Sequence, residues 1–459
     1  MENFDKMFQP FKEKMQKENL PGLVIDTFRY YYSLLLKGES GTIPESTISP
    51  VDSLPDLENL GSDYFETGKD NLNSTVIIKL NGGLGTSMGL NKAKSLLEVK
   101  NKLTFLDIIA KQSEVSNVPF ILMNSFNTKD DSLDLLKKYT QVDEKLPVDF
   151  LQHKIPKIDK KTLKPVEWNA NPKLEWCPPG HGEIYIAMHI SGILELLIAN
   201  NYQYAFISNS DNLGSFLDVN LLGYFVQSGY SFLMEVADRT EADRKGGHLA
   251  RLKNGQLILR ESAQCPDEDL PEFQNINKHK YFNTNNIWID LKALQNVLKE
   301  KKYNLKLPMI RNEKNVDPRD HSSPKVYQLE TAMGSAISVF KGASAIRVPR
   351  TRFAPVKTTD DLLAVRSDAY ILTDEFKLIP NPGRKLGKLF INLDKKYYKK
   401  VEDFENRFPK GVPSFLECEE LTVKGDVKFG GNIKLAGKIN LVNNTHGQIS
   451  IADNEKIIR

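Results

Sequence analysis

The sequence predicts an α/β fold built on a parallel or mixed sheet, preceded by helices and closed by a small parallel β-helix. Three observations carry that expectation. Short β-branched apolar runs at residues 75–80, 120–123 and 204–208 alternate with segments of helical period, the pattern of a sheet that presents ligands at the carboxyl ends of its strands. The first run empties into a glycine-rich loop, Asn81-Gly82-Gly83-Leu84-Gly85-Thr86-Ser87-Met88-Gly89. Near the end the apolar period becomes six: Phe415, Leu421, Val427, Ile433 and Ile439 keep one phase, Val423, Phe429, Leu435 and Leu441 a second, Gly425, Gly431 and Gly437 a third.

Residues 1 to about 40 read as helix broken at Pro21-Gly22, because Phe8, Phe11, Met15, Leu20, Leu23, Phe28, Tyr31, Leu34 and Leu35 recur near the helical period. Residues 38–73, rich in Gly, Ser, Pro and acids, read as a surface connection. Helical patterns follow at 105–115, 132–139 and 183–198. The hexads read as stacked coils that bury one residue per face, a scaffold more than a seat of chemistry. The expected domains are a helical region 1–70, a catalytic domain 71–380 and a β-helix domain 381–459.

Of 459 residues, 40% are hydrophobic and 26% charged, and 62 basic against 59 acidic residues leave a net charge of +3. That field is too weak for wholesale binding of nucleic acid or membrane. Cys177, Cys265 and Cys418 are widely spaced and odd in number, which argues against a disulfide framework or a cysteine zinc site and for a reducing compartment. The N-terminus lacks the regions of a signal peptide, so the expected location is the cytoplasm.

Glycines after a strand let backbone amides approach a phosphate chain, although a tight structural turn would use them too. The loop is not a P-loop, and Gly83-x-Gly85-x-x-x-Gly89 misses the dinucleotide spacing by one residue. Lys92 and Lys94 just beyond it suit a triphosphate. Asp211 follows the third apolar run, where a carboxylate can hold Mg²⁺ against phosphate oxygens or simply form a turn. His181-x-Glu183 lacks the Pro-Cys-x-x-Cys of zinc deaminases, so zinc is rejected.

The segment Lys79-Leu80-Asn81-Gly82-Gly83-Leu84-Gly85-Thr86-Ser87-Met88-Gly89 resembles the signature loop of the UTP–glucose-1-phosphate uridylyltransferase (UDP-glucose pyrophosphorylase) family. The resemblance continues in order through Leu122-Met123-Asn124-Ser125-Phe126, Pro179-Gly180-His181-Gly182-Glu183, Asn209-Ser210-Asp211-Asn212-Leu213-Gly214 and Lys245-Gly246-Gly247. It extends to Phe282-Asn283-Thr284-Asn285-Asn286, Gln328-Leu329-Glu330-Thr331 and Arg352-Phe353-Ala354-Pro355-Val356-Lys357. The related UDP-N-acetylhexosamine pyrophosphorylases carry an Arg in the loop where this chain has Thr86, Ser87 and Met88. The chain also has Lys92-Ala93 where the family has Gly-Pro.

The resemblance implies a Rossmann-like, GT-A-like nucleotidyltransferase sheet flanked by helices, a helical N-terminal segment and a left-handed parallel β-helix at the C-terminus. It implies reversible conversion of UTP and glucose 1-phosphate to UDP-glucose and pyrophosphate, with Mg²⁺ on Asp211 and Lys94 and Lys357 as catalytic lysines. UTP would meet Leu80, Asn81, Gly82, Gly83, Lys94, Met123, Gln152, Gly180, Asp211 and Lys357. Met123 would cover the uracil face and Gln152 pair with its edge. His181, Asn209, Ser210, Gly247, Asn285 and Glu330 would receive the sugar phosphate. Self-association through the tail is a further expectation. A relaxed-specificity UDP-sugar pyrophosphorylase and a non-catalytic nucleotide-sugar sensor are the competing readings.

Overall fold

The structure, a computed structural model, describes residues 2–459. In chain order the elements that frame the site are α1 (Glu2–Lys17), α2 (Gly22–Leu36), β1 (Ile48–Ser49), α3 (Asp63–Asp70), β2 (Thr75–Asn81), α4 (Phe105–Ser116), β3 (Phe120–Asn124), α5 (Lys129–Leu136), β4 (Asp149–Leu151), α6 (Ile184–Ile190) and α7 (Ile193–Ala199). They continue with β5 (Tyr204–Asn209), α8 (Val219–Gln227), β6 (Phe232–Asp238), β7 (His248–Leu252), β8 (Leu257–Arg260), β9 (Tyr281–Asp290), β10 (Ala343–Arg347) and α9 (Thr359–Arg366).

Strands β1 to β10 form one mixed sheet with β1-β7-β9-β5-β2-β3-β4 along its path, β6 between β9 and β10, and β8 beside β7. Neighbours from β5 through β2 and β3 to β4 run parallel, and β9 pairs antiparallel with β5, β6 and β7. β2 reads Thr-Val-Ile-Ile-Lys-Leu-Asn and is buried along its whole length, as a strand covered on both faces must be. α4 starts at a capping box: the Thr104 hydroxyl accepts from Asp107 N at 3.0 Å, and the Asp107 carboxylate accepts from Thr104 N at 2.9 Å.

The helical period at 183–198 resolves into two helices, α6 and α7, interrupted at Gly192, which has φ +76°. The expected connection at 38–73 is more than a connection, because β1 pairs with β7 and α3 packs on α8. Its polar composition hides these elements because each is short. Among the described residues no single helix is long and apolar enough to cross a membrane.

α1 and α2 lock together through Phe8, Phe11, Phe28 and Tyr32, and the same cluster takes in Ile155, Ile158, Cys177 and Leu329 of the central region. In the tail, β11 (Phe390–Leu393), β12 (Ser414–Lys424), β14 (Lys434–Val442) and β16 (Lys456–Ile458) stack in parallel, as do β13 (Val427–Phe429) and β15 (Ile449–Ile451). Phe415, Leu421, Val427, Phe429, Ile433, Leu435 and Ile439 face inward and are buried. Leu421 pairs with Ile439, so one coil there spans three hexads.

Candidate active site

The site begins where β2 and β5 end side by side, Leu80 in register with Asn209 and Ser210 N donating to Leu80 O at 3.0 Å. Asn81 ties the strand ends together. Its Nδ2 donates to Asn124 Oδ1 at 2.7 Å and Ser132 Oγ at 2.8 Å, and its Oδ1 accepts from Ser210 Oγ at 3.1 Å. Both side chains are buried, and their mutual bond braces the loop.

Beyond Asn81 the chain turns through Gly82 and Gly83, and Lys94 N donates to Gly83 O at 2.9 Å, folding the lysine back over the loop. Lys94 Nζ then meets Asp211 Oδ2 at 2.6 Å, with the two side chains 14% and 25% exposed. Asp211 O in turn accepts from Val356 N at 3.2 Å, which brings Lys357 alongside the same carboxylate's segment. Lys357 is exposed, with its Nζ 5.6 Å from the Phe353 ring centre. Its own amide and that of Thr358 both donate to Asp361 Oδ2 at 2.8 Å, so Lys357 stands at the capped start of α9.

A second group lies around Gly180, whose φ of +81° and contact with Thr331 exclude a side chain: a Cβ would lie 2.4 Å from Thr331 O. Gln152 Nε2 donates to Gly180 O at 2.8 Å, and Gln152 Oε1 lies 3.2 Å from where a Gly82 side chain would begin. Glu183, 6% exposed, holds this corner by accepting from His153 N at 3.0 Å and meeting His153 Nδ1 at 2.6 Å. Glu330 borders Gly180, and burial pushes its carboxyl up. His181 Nδ1 accepts from Met333 N at 3.0 Å, which leaves Nε2 as the protonated, donating nitrogen of the neutral ring. Burial pushes its pKa down to about 4.

Met123 departs from its expected role. At 2% exposed it packs in the core of the sheet between Leu80 and Phe150 in register, so its side chain offers no open face for a base. A strand buried on both faces leaves no such surface before its last residue.

On the far side Asn283 N donates to Gly247 O at 3.2 Å, and Asn283 Nδ2 donates to Asn285 Oδ1 at 2.8 Å, with Asn285 at φ +59° beside a bulge between β6 and β9. Glu261 joins them. A Cβ on Gly247 would lie 2.4 Å from Glu261 Oε2, so glycine alone admits the carboxylate there. Burial raises the Glu261 pKa to about 6, against the pull of Lys357. The motif reading missed this acid. The signal was the hairpin of β7 and β8, whose pairing of His248 with Arg260 puts Gly247 opposite Glu261.

Among the described residues no cluster of three or more His, Cys, Asp or Glu side chains could enclose a metal. Asp211 suits a hard divalent cation shared with phosphate oxygens, since Mg²⁺ commonly takes one or two protein carboxylates and fills its shell with water and substrate. Its present partner is the Lys94 ammonium.

A lysine paired with a carboxylate at the carboxyl edge of a mixed sheet, beside a glycine loop and with a second lysine on the adjoining segment, defines a nucleotide-phosphate site of the nucleotidyltransferase kind. Residues 25–436 match the family model described as UTP–glucose-1-phosphate uridylyltransferase. The Solanum tuberosum UTP–glucose-1-phosphate uridylyltransferase is 42% identical over 431 residues, 91% of this chain and 88% of that protein. The Saccharomyces cerevisiae enzyme of the same name is 42% identical over 385 residues, 81% of this chain and 74% of that one. A mutant UDP-glucose pyrophosphorylase from Leishmania major, solved in complex with UDP-glucose, superposes with a TM-score of 0.90 at 44% identity, covering 98% of each chain. UDP-glucose phosphorylase from Trypanosoma brucei superposes with a TM-score of 0.88 at 45% identity, covering 99% of this chain and 100% of that one. The chain belongs to the UTP–glucose-1-phosphate uridylyltransferase family.

Proposed function

We propose that this chain transfers UMP from UTP to glucose 1-phosphate, reversibly giving UDP-glucose and pyrophosphate, by in-line displacement. The observation that carries the reading is that Lys94 pairs with Asp211 just past the end of β5 while Lys357, also distant in sequence, stands next to the residue whose amide bonds Asp211 O. The attacking phosphate oxygen is already anionic, so no side chain must generate a nucleophile. The protein's work is to align two polyanions and to neutralise charge growing around the α-phosphorus. Lys94 and Lys357 supply that countercharge, and the amides of Gly82 and Gly83 add backbone dipoles. Mg²⁺ held by Asp211 would lend Lewis-acid stabilisation to the phosphate oxygens. Gln152 and Gly180 suit the polar edge of uracil, since a carboxamide both donates and accepts. His181 Nε2 donates to the sugar phosphate, while Gly247, Glu261 and Asn285, with Asn209 and Glu330, face sugar hydroxyls.

The test is pyrophosphate release by purified protein given UTP, Mg²⁺ and glucose 1-phosphate. Release well above background is expected, with galactose 1-phosphate a poorer substrate. No release overturns the reading, and equal rates with the two sugars replace it with a relaxed-specificity enzyme.

We also propose the division 1–70, 71–380 and 381–459, a left-handed winding of the tail's parallel stack, and self-association along it. The exposed apolar side chains Phe390, Val442, Ile449 and Ile458 support the last. A cytoplasmic location accords with three cysteines that are all free and buried.

A further inference from the structure

Lys357 lies outside the main sheet, on a segment seated against residues 211–213. The backbone bonds that seat it are long: Val356 N to Asp211 O at 3.2 Å and Leu213 N to Ala354 O at 3.3 Å. Asn212 faces Pro355 in an isolated antiparallel bridge, the non-hydrogen-bonded pair between those two bonds, and no strand continues the pairing on either side.

The Asn212 carboxamide adds its own bonds to this short pairing. At 4% exposed, its Oδ1 accepts from Ala354 N at 2.8 Å and from Gly214 N at 3.1 Å, and its Nδ2 donates to Arg352 O at 3.1 Å. Beneath it the Arg352 guanidinium makes a two-pronged pair with Glu235, Nε to Oε2 and Nη2 to Oε1 both at 2.7 Å. Glu235 also accepts from Trp288 Nε1 and Asn286 Nδ2, each at 2.9 Å. Desolvating such a pair is costly, and apolar residues of equal volume often serve stability as well. The pair anchors the Arg352 side chain, while the Asn212 carboxamide holds the Arg352 carbonyl and the Ala354 amide in a single register.

We propose that Asn212 is a positioning residue: it clips the segment carrying Lys357 to the segment carrying Asp211, acting through Lys357 and touching no substrate. The inference rests on the uridylyltransfer reading above.

The test is a double-mutant cycle in kcat. Displacing a reacting group by about 1 Å costs roughly 10²-fold, so Asn212→Ala should lower kcat by about 10- to 100-fold with KM for UTP little changed. In a Lys357→Ala background the same substitution should cost no more than about twofold further, because groups acting as one unit are not additive. Wild-type kcat in Asn212→Ala, or a full multiplicative loss in the double variant, overturns the clip. Should the alanine variant not fold, Asn212→Ser keeps an acceptor for one amide and carries the same cycle. Absence of pyrophosphate release in the wild type overturns the uridylyltransfer reading instead, whereas an active wild type, an impaired Lys357→Ala and an unimpaired Asn212→Ala sink the clip alone.

Discussion

Beneath the ligand end of the central sheet lie Lys79, Glu235, Arg260 and Arg352, none more than 2% exposed, whereas the interior of the tail stack is lined by Phe415, Leu421, Val427, Phe429, Ile433, Leu435 and Ile439. The sheet's charges are held by specific partners. Lys79 Nζ donates to Ser208 Oγ at 2.8 Å and Ser215 O at 2.6 Å, and burial, with Arg352 nearby, pushes its pKa down to about 7. The tail spends its burial on stability, while the sheet accepts desolvation costs in order to fix where groups sit. Mutations in the two regions should therefore fail differently.

The largest effect should come from Phe429→Ala. Emptying that fully buried site is expected to cost about 3–5 kcal/mol in unfolding free energy, with kcat per folded molecule unchanged. Denaturant titration beside active-site-normalised kinetics checks it, and a matching drop in kcat would erase the contrast. Next, Lys357→Ala should lower kcat by about 10²- to 10³-fold, the scale for losing one electrostatic stabiliser, while the melting temperature stays near wild type.

A smaller effect follows from protonation. His181 titrates near 4 in the folded chain against 6.5 ordinarily, so between those values the unfolded chain binds more protons and stability rises with pH. Buried His248 is shifted in the same direction, mainly by burial, and Glu261, raised from 4.5 to about 6, opposes both over its own interval. His181→Gln should flatten the acid slope by about 1–3 kcal/mol between pH 4 and 6.5 and leave stability above pH 7 little altered, as denaturant midpoints across that range would reveal. The smallest effect belongs to Ile458→Lys on β16, 64% exposed in the wild type. Stability should change by less than about 0.5 kcal/mol and kcat not at all, with light scattering registering a smaller assembly.

The parts legible in the sequence are those with a short-range signature. Strands at Thr75–Asn81, Phe120–Asn124 and Tyr204–Asn209 follow from β-branched runs, and the break between α1 and α2 from Pro21-Gly22. The hexads announced the buried face of the tail because its period repeats over adjacent coils. The glycine loop, Lys94, Asp211 and Lys357 were marked by their motifs. Glu235 with Arg352, and Glu261 against Gly247, were not, because each pairing depends on strand register across the sheet or a hairpin. Met123 misled for the converse reason: its motif speaks of the site, and its strand interior speaks of the core.

The bond between Lys94 and Asp211 has one more consequence. In the structure the ammonium already meets an anionic oxygen and the carboxylate a cation, the same kinds of partner that the proposed reaction would give each of them. On the proposed reaction, binding would then be an exchange of partners in which neither charge is left bare on the way in.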